Sequence, residues 1–130
     1  MVEYGIEIIL NRQLADCLSM PAFITDTTGN LIFYNEPAEK LLGTRFEETG
    51  EMKAETWGTI FKPKDDEGNS LPLESLPLSR TLKDRYPYHK TFWIESLQGR
   101  SERISVTSYP IIGRAGNFLG AIALFWQAKD

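Results

Sequence analysis

The stretch that decides the fold runs from Pro21 to Gly43, PAFITDTTGNLIFYNEPAEKLLG. Residues 22–25 form a short apolar run. Asp26-Thr27-Thr28-Gly29-Asn30 is turn chemistry, because Asp and Asn side chains bond their own backbone and Gly accepts a positive φ. Residues 31–34 are aliphatic and aromatic and suit a second strand. Asn35 is a good N-cap, Pro37 fits the first helical turn, and Gly43 stops the helix. The spacing predicts strand, tight turn, strand and capped helix in succession. As a plain cap, Asn35 should tolerate Asp or Ser, which keep the acceptor, and Asn35→Ala should cost about 0.5–2 kcal/mol.

Working outward, residues 3–18 predict an amphipathic helix, with Ile6, Ile9, Leu10, Leu14, Cys17 and Leu18 on one stripe. Pro21 ends it, since the residue before proline avoids the helical region. Downstream, residues 55–61 predict a helical turn with Trp57, Ile60 and Phe61 facing inward. Residues 62–70, KPKDDEGNS, read as a solvated loop. Residues 71–85 predict a helix that carries the i, i+4 pair Leu78 and Leu82. Strands follow over 86–97, 102–112 and 118–127, separated by Gly-rich turns at 98–100 and 113–117. Ile104 and Val106 alternate with Arg103, Ser105 and Thr107, whereas 92–94 and 121–126 are apolar on both faces. A block of short helices between two groups of strands indicates an α+β fold with an antiparallel sheet.

These pieces resemble a known family. Asp26, Gly29, Leu31, Phe33 or Tyr34, Asn35, Ala38, Leu41, Leu42 and Gly43 fall at the spacing that opens a PAS domain, a small sensory module. The similarity extends to Trp57-x-x-Ile60-Phe61, Asp66-Glu67-Gly68, Leu76-Pro77-Leu78, Pro110-Ile111 and Gly120-Ala121. It implies a five-stranded antiparallel sheet with short helices on one face and the N-terminal amphipathic helix on the other. The expected division is a cap helix over 1–20 and a PAS domain over 21–130.

Composition bounds the function. With 130 residues, 42% of them hydrophobic and 25% charged, the chain can bury a core and is not disordered. The net charge of −4 and the lack of a Lys/Arg cluster argue against nucleic acid. No apolar run is long enough for a membrane span, and the start lacks a signal-peptide core. A cytoplasmic segment of a longer protein is the expectation. The one cysteine excludes an internal disulfide. The one histidine, His89, begins a strand and reads as a surface residue, leaving no hydrolytic triad.

Cofactors follow from the resemblance. Flavin-type PAS photoreceptors carry an NCRFLQ-like motif, and the corresponding ETWGTIF has no Cys. Haem-type members ligate iron through His on the helix before the third strand, and that helix has none here. No cofactor is expected, neither flavin nor haem; the inward residues suit a core filled by its own side chains, with a small apolar or aromatic ligand as the alternative. By the family's strand parity the candidate pocket is lined by Phe23, Thr25, Leu31, Phe33, Phe92, Ile94, Ile104, Val106, Ser108, Phe118, Gly120, Ile122 and Leu124. The helices would add Leu42, Trp57, Ile60, Phe61, Leu78 and Leu82, and Thr25, Ser108 and Thr81 would be its polar groups. The same parity places Ile32, Tyr34, Trp93, Leu119, Ala121, Ala123 and Phe125 on the outer face. That is too much apolar surface for solvent, and the N-terminal helix, from the same chain or a second copy, is the natural cover. The resemblance thus implies a non-catalytic sensory and dimerisation domain that is homodimeric through the N-terminal helix and outer face and coupled to an output domain. Two rivals are a structural dimerisation module with a filled core, and an α+β enzyme with a cone-shaped pocket like the ketosteroid isomerase group. The enzyme would need an inward Asp, which the parity does not supply.

Overall fold

The structure is a computed structural model that describes residues 6–96 and 98–128. Its elements in chain order are α1 (Ile6–Cys17), β1 (Ala22–Thr25), β2 (Leu31–Tyr34), α2 (Glu36–Leu42), α3 (Phe46–Thr49), α4 (Ala54–Ile60), α5 (Pro77–Asp84), β3 (Tyr88–Glu95), β4 (Ser101–Ile112) and β5 (Phe118–Gln127). The start predicted for the first helix, residues 3–5, and Leu97 at the end of the predicted third strand lie outside the described residues. The helix expected over 71–85 is instead a 3₁₀ turn, Leu73–Ser75, followed by α5. Pro77 opens α5 at a position where its missing N–H costs nothing.

The five strands form one antiparallel sheet in the order β2-β1-β5-β4-β3. The opening stretch folds as its sequence predicts. The Asp26 carboxylate accepts from the Thr28 and Asn30 amides and closes the β1–β2 turn. Asn35 Oδ1 accepts from the Ala38 amide at 3.2 Å, and Gly43 ends α2 at φ 86°.

Two hydrophobic clusters sandwich the sheet. One lies between the sheet and α2–α5, around Phe23, Leu31, Tyr34, Leu42, Trp57, Phe61, Phe92 and Phe125. The other lies under α1, where Ile8 and Ala15 pack on Ala22, Ile24, Ile32, Phe33, Ile111 and Ile122.

Two strands keep the expected parity at their start and turn their side chains opposite to it from Phe33 and from Ala121 onward. In β2 the pairing slips against Ile24 and Thr25, so Ile32 and Phe33 both face α1 and Tyr34 turns back toward the helices. A bulge places two consecutive residues on one side in this way. In β5, Ala121, Ala123 and Phe125 face the helices, while Ile122 and Leu124 belong to the α1 side. The run FLGAIALFW is apolar on both faces, so alternation carries no sign there. Gly120 sets the phase: at φ 148°, with the Thr25 carbonyl 2.1 Å from where a Cβ would stand, only glycine fits.

Helix α1 covers the sheet with the face opposite to the predicted stripe. Ile8 and Ala15 are buried, and the Arg12 guanidinium lies 4.5 Å over the Phe33 ring. Ile6, Ile9, Leu10 and Leu14 point outward, with Leu10 55% exposed.

Candidate functional site

Between the sheet and the helices lies a cavity of about 60 Å³. Its sheet wall is Phe23, Phe92, Ile94, Ile104, Val106, Ala123 and Phe125. Its helical wall is Leu42, Trp57, Phe61, Pro63, Leu76, Pro77 and Leu78. Amphipathic elements aim these residues inward, and the Trp57 indole is fixed by donating to the Gly29 carbonyl at 2.7 Å. Every lining residue is apolar apart from that indole, whose one N–H is already used.

Nine of the expected lining residues meet there: Phe23, Leu42, Trp57, Phe61, Leu78, Phe92, Ile94, Ile104 and Val106. The others do not. Phe33 and Ile122 are turned to the α1 side by the two changes of phase, and Leu124 packs there too. Phe118 lies at the strand end, capped by the Arg85 guanidinium at 4.8 Å. Ile60 and Leu82 pack on the core from its margin, and Leu31 is buried in that core away from the cavity. Gly120 lies against the Thr25 carbonyl. Thr25 and Ser108 are fully buried but outside the lining.

The polar groups have a different use from the one expected. Ser108 and Thr81 bond each other at 2.6 Å, which pins α5 to β4. The Thr25 hydroxyl is buried without a partner. Sequence reasoning missed Pro63, Leu76, Pro77, Ala123 and Phe125. Ala123 and Phe125 were hidden by the β5 phase. The prolines were hidden because Pro63 stands inside a charged loop and Pro77 at a helix start, where each reads as punctuation.

Asn35 does more than cap α2. It is 1% exposed. Its Oδ1 accepts from the amides of Ala38 and Ala22, the latter at 3.0 Å. Its Nδ2 donates to the carbonyls of Ala15 at 2.8 Å and Met20 at 3.0 Å. One side chain thus ties the last turn of α1, the connection after it, the first residue of β1 and the start of α2. Asp or Ser cannot replace it, because two of its four bonds need the amide as donor. Tyr34, expected on the outer face, is 1% exposed on the helix side. Its hydroxyl reaches the Thr44 carbonyl and the Thr49 hydroxyl, and burial raises its pKa above the usual value.

His89 is exposed, its Nδ1 2.8 Å from the Thr107 hydroxyl and its ring 5.9 Å from that of Trp126. Cys17 is exposed at the end of α1, across the sheet from the cavity. Among the described residues no group of three or more potential metal ligands gathers. Nor, among the described residues, is any helix long and apolar enough to cross a membrane.

This architecture is shared with PAS and LOV domains of known structure. The PAS domain of Bordetella pertussis BvgS superimposes with a TM-score of 0.64 at 14% identity, over 97% of this chain and 89% of that one. A LOV protein from Rhodobacter sphaeroides gives 0.73 at 12% identity, over 96% of this chain and 69% of its own. The chain has the PAS fold. A third likeness is the LOV domain of a blue-light activated histidine kinase from Erythrobacter litoralis, at a TM-score of 0.66 and 12% identity, over 87% and 99% of the two chains. No protein-family model matches the chain, and no curated protein sequence does. At these identities the likeness speaks for the fold, and the PAS cavity has to be read from its own residues.

Proposed function

We propose that this chain is a non-catalytic sensory and dimerisation module of a larger cytoplasmic signalling protein, with a cap helix over 1–20 and a PAS domain over 21–130, and that its core takes a small apolar molecule. The observation that carries the reading is the cavity of about 60 Å³ walled by apolar side chains. That is well under the roughly 150 Å³ of a dry cavity that binds benzene, so the ligand is a gas or a very small apolar molecule unless the walls give way.

The lining does not fit a flavin. The ring would bring several donors and acceptors into a wall with no free polar side chain, each costing about 1–3 kcal/mol if left unpaired. The one cysteine is on the other side of the sheet. His89, bonded to Thr107 and stacked near Trp126, is not placed to ligate haem in the cavity. An isomerase-like reading finds no carboxylate in the wall. Signalling as the setting is supported by the likeness to a histidine-kinase LOV domain, and an output domain such as a kinase is the fitting partner.

Dimerisation is supported by α1. With one face packed on the sheet, Ile6, Ile9, Leu10 and Leu14 form an exposed apolar stripe that a second copy would cover. Titration of isotope-labelled protein with xenon should shift the signals of Phe23, Ile104 and Val106 and leave the α1 side unmoved. Sedimentation should give a dimer that Leu10→Asp with Leu14→Asp converts to a monomer. A dimer that takes up no xenon would favour the structural module with a filled core, a reading supported by the four phenylalanine rings already in the wall.

A further inference from the structure

The wall of the cavity is not equally firm. Its sheet side belongs to one hydrogen-bonded ladder. Among the helices, α4 is pinned by the Trp57 indole on Gly29, α5 by Thr81 on Ser108, and α2 by Asn35. Two lining residues, Phe61 and Pro63, come from the loop between α4 and the 3₁₀ turn. Pro63 is buried against the cavity although every residue after it, through Ser70, is exposed or half-exposed.

Residues 62–71 form a hairpin with its own internal bonds. The Asp65 carboxylate accepts from the Glu67 and Asn69 amides, and the Leu71 amide donates to the Pro63 carbonyl at 2.9 Å. The hairpin runs along the edge of β3, and at its base the Glu95 amide donates to the Phe61 carbonyl at 2.7 Å and the Lys62 ammonium lies 3.7 Å from the Glu95 carboxylate. The backbones of Lys64 and Trp93 exchange two hydrogen bonds, of 2.9 and 2.8 Å. Beyond that pair, Asp66 Oδ1 accepts from Trp93 Nε1 at 3.0 Å and Arg103 Nε at 3.2 Å. Both donors belong to residues next to inward-facing Phe92, Ile94 and Ile104, so they stand on the outer side of the sheet. The hairpin therefore wraps the sheet edge from the cavity to the opposite face. At its base Lys62 holds φ 48°, a conformation that a non-glycine residue leaves readily when its surroundings loosen.

We propose that the 62–71 hairpin is the door of the cavity, hinged at Lys62 and latched by Asp66 on Trp93 and Arg103. This deepens the ligand reading above and depends on it. Opening lifts Pro63 out of the wall and releases the Arg103 guanidinium and the Trp93 indole on the outer face. Passage through the core is thereby coupled to the charge of a surface on the other side of the sheet.

The test uses the whole chain, xenon as probe, and the variants Asp66→Ala and Glu67→Ala. Glu67 is exposed on the same hairpin and outside the latch. Asp66→Ala should speed hydrogen exchange at the Lys64 and Trp93 amides by about three- to fivefold, the worth of an exposed charge-assisted contact. It should raise the xenon on- and off-rates, read by exchange NMR, by the same factor and leave the xenon affinity unchanged, since both rates cross one door. Glu67→Ala should match wild type. Unchanged amide exchange in Asp66→Ala would overturn the latch. Faster amide exchange with unchanged xenon rates would overturn the door, because the hairpin would then open without giving passage. Xenon uptake by neither protein would overturn the ligand reading and the door with it, while the amides would still report whether Asp66 holds the hairpin.

Discussion

Replacing Asn35 with Asp separates a helix cap from a four-way tie. Asp keeps the oxygen that accepts from the Ala22 and Ala38 amides, so a simple cap would lose little. It removes the amide hydrogens donated to the Ala15 and Met20 carbonyls. The Ala15 carbonyl keeps the Leu18 amide at 3.2 Å, whereas an unsatisfied acceptor at Met20 costs about 1–3 kcal/mol, so the loss near neutral pH should be about 1–3 kcal/mol. A carboxylate facing two carbonyl oxygens in a buried site favours its neutral form. The neutral acid can donate one bond, so the penalty should shrink as pH falls from about 7 to about 5. Urea unfolding of wild type and Asn35→Asp at both pH values is the assay. Amide exchange in α1 should rise with the substitution, because the tie to its last turn is cut. A variant within about 0.5 kcal/mol of wild type at neutral pH would refute the reasoning, as would a penalty that grows on acidification.

Three further outcomes follow from the geometry. Gly120→Ala should cost about 3 kcal/mol or more in thermal unfolding, because its Cβ would stand 2.1 Å from the Thr25 carbonyl; a loss under about 1 kcal/mol would mean the strands part easily. Val106→Ile places one more methylene beside the cavity and should stabilise by up to about 0.8 kcal/mol while weakening xenon uptake; a destabilised variant would show that the void cannot be filled from β4. Hydrogen bonds from Arg103 and then Trp93 hold the Asp66 carboxyl below the usual carboxylate range. Its contribution is therefore present above the unfolded pKa, near 4, and lost as pH falls through the lowered folded value; the difference in urea midpoint between wild type and Asp66→Asn should vanish in acid, and a difference constant with pH would count against the latch.

The order of elements was legible in the sequence because its signals are local. The Asp26 turn, the Asn35 cap and the Gly43 stop each act within four residues, so they read the same before and after folding. The cavity was legible where polar and apolar residues alternate, as in β4, and in helices with one apolar face. It was not legible in β5. There both faces are buried, and the phase depends on how closely Gly120 approaches Thr25.

By itself the sequence determined an α+β chain of five strands with a block of short helices, nine of the residues that wall the cavity, and a first helix with an apolar stripe. Only the tertiary structure decided which way that stripe faces. Ile8 and Ala15 pack on the sheet, and the larger apolar face is left outside, since helical periodicity marks a stripe but not its partner. It also decided the phase of β2 and β5, because a bulge or a single positive φ reverses every later side chain without altering the composition. And it decided the role of Asn35. The acceptor half of that amide serves the helix next to it in sequence, whereas the donor half serves carbonyls 20 and 15 residues away, which only folding brings within reach.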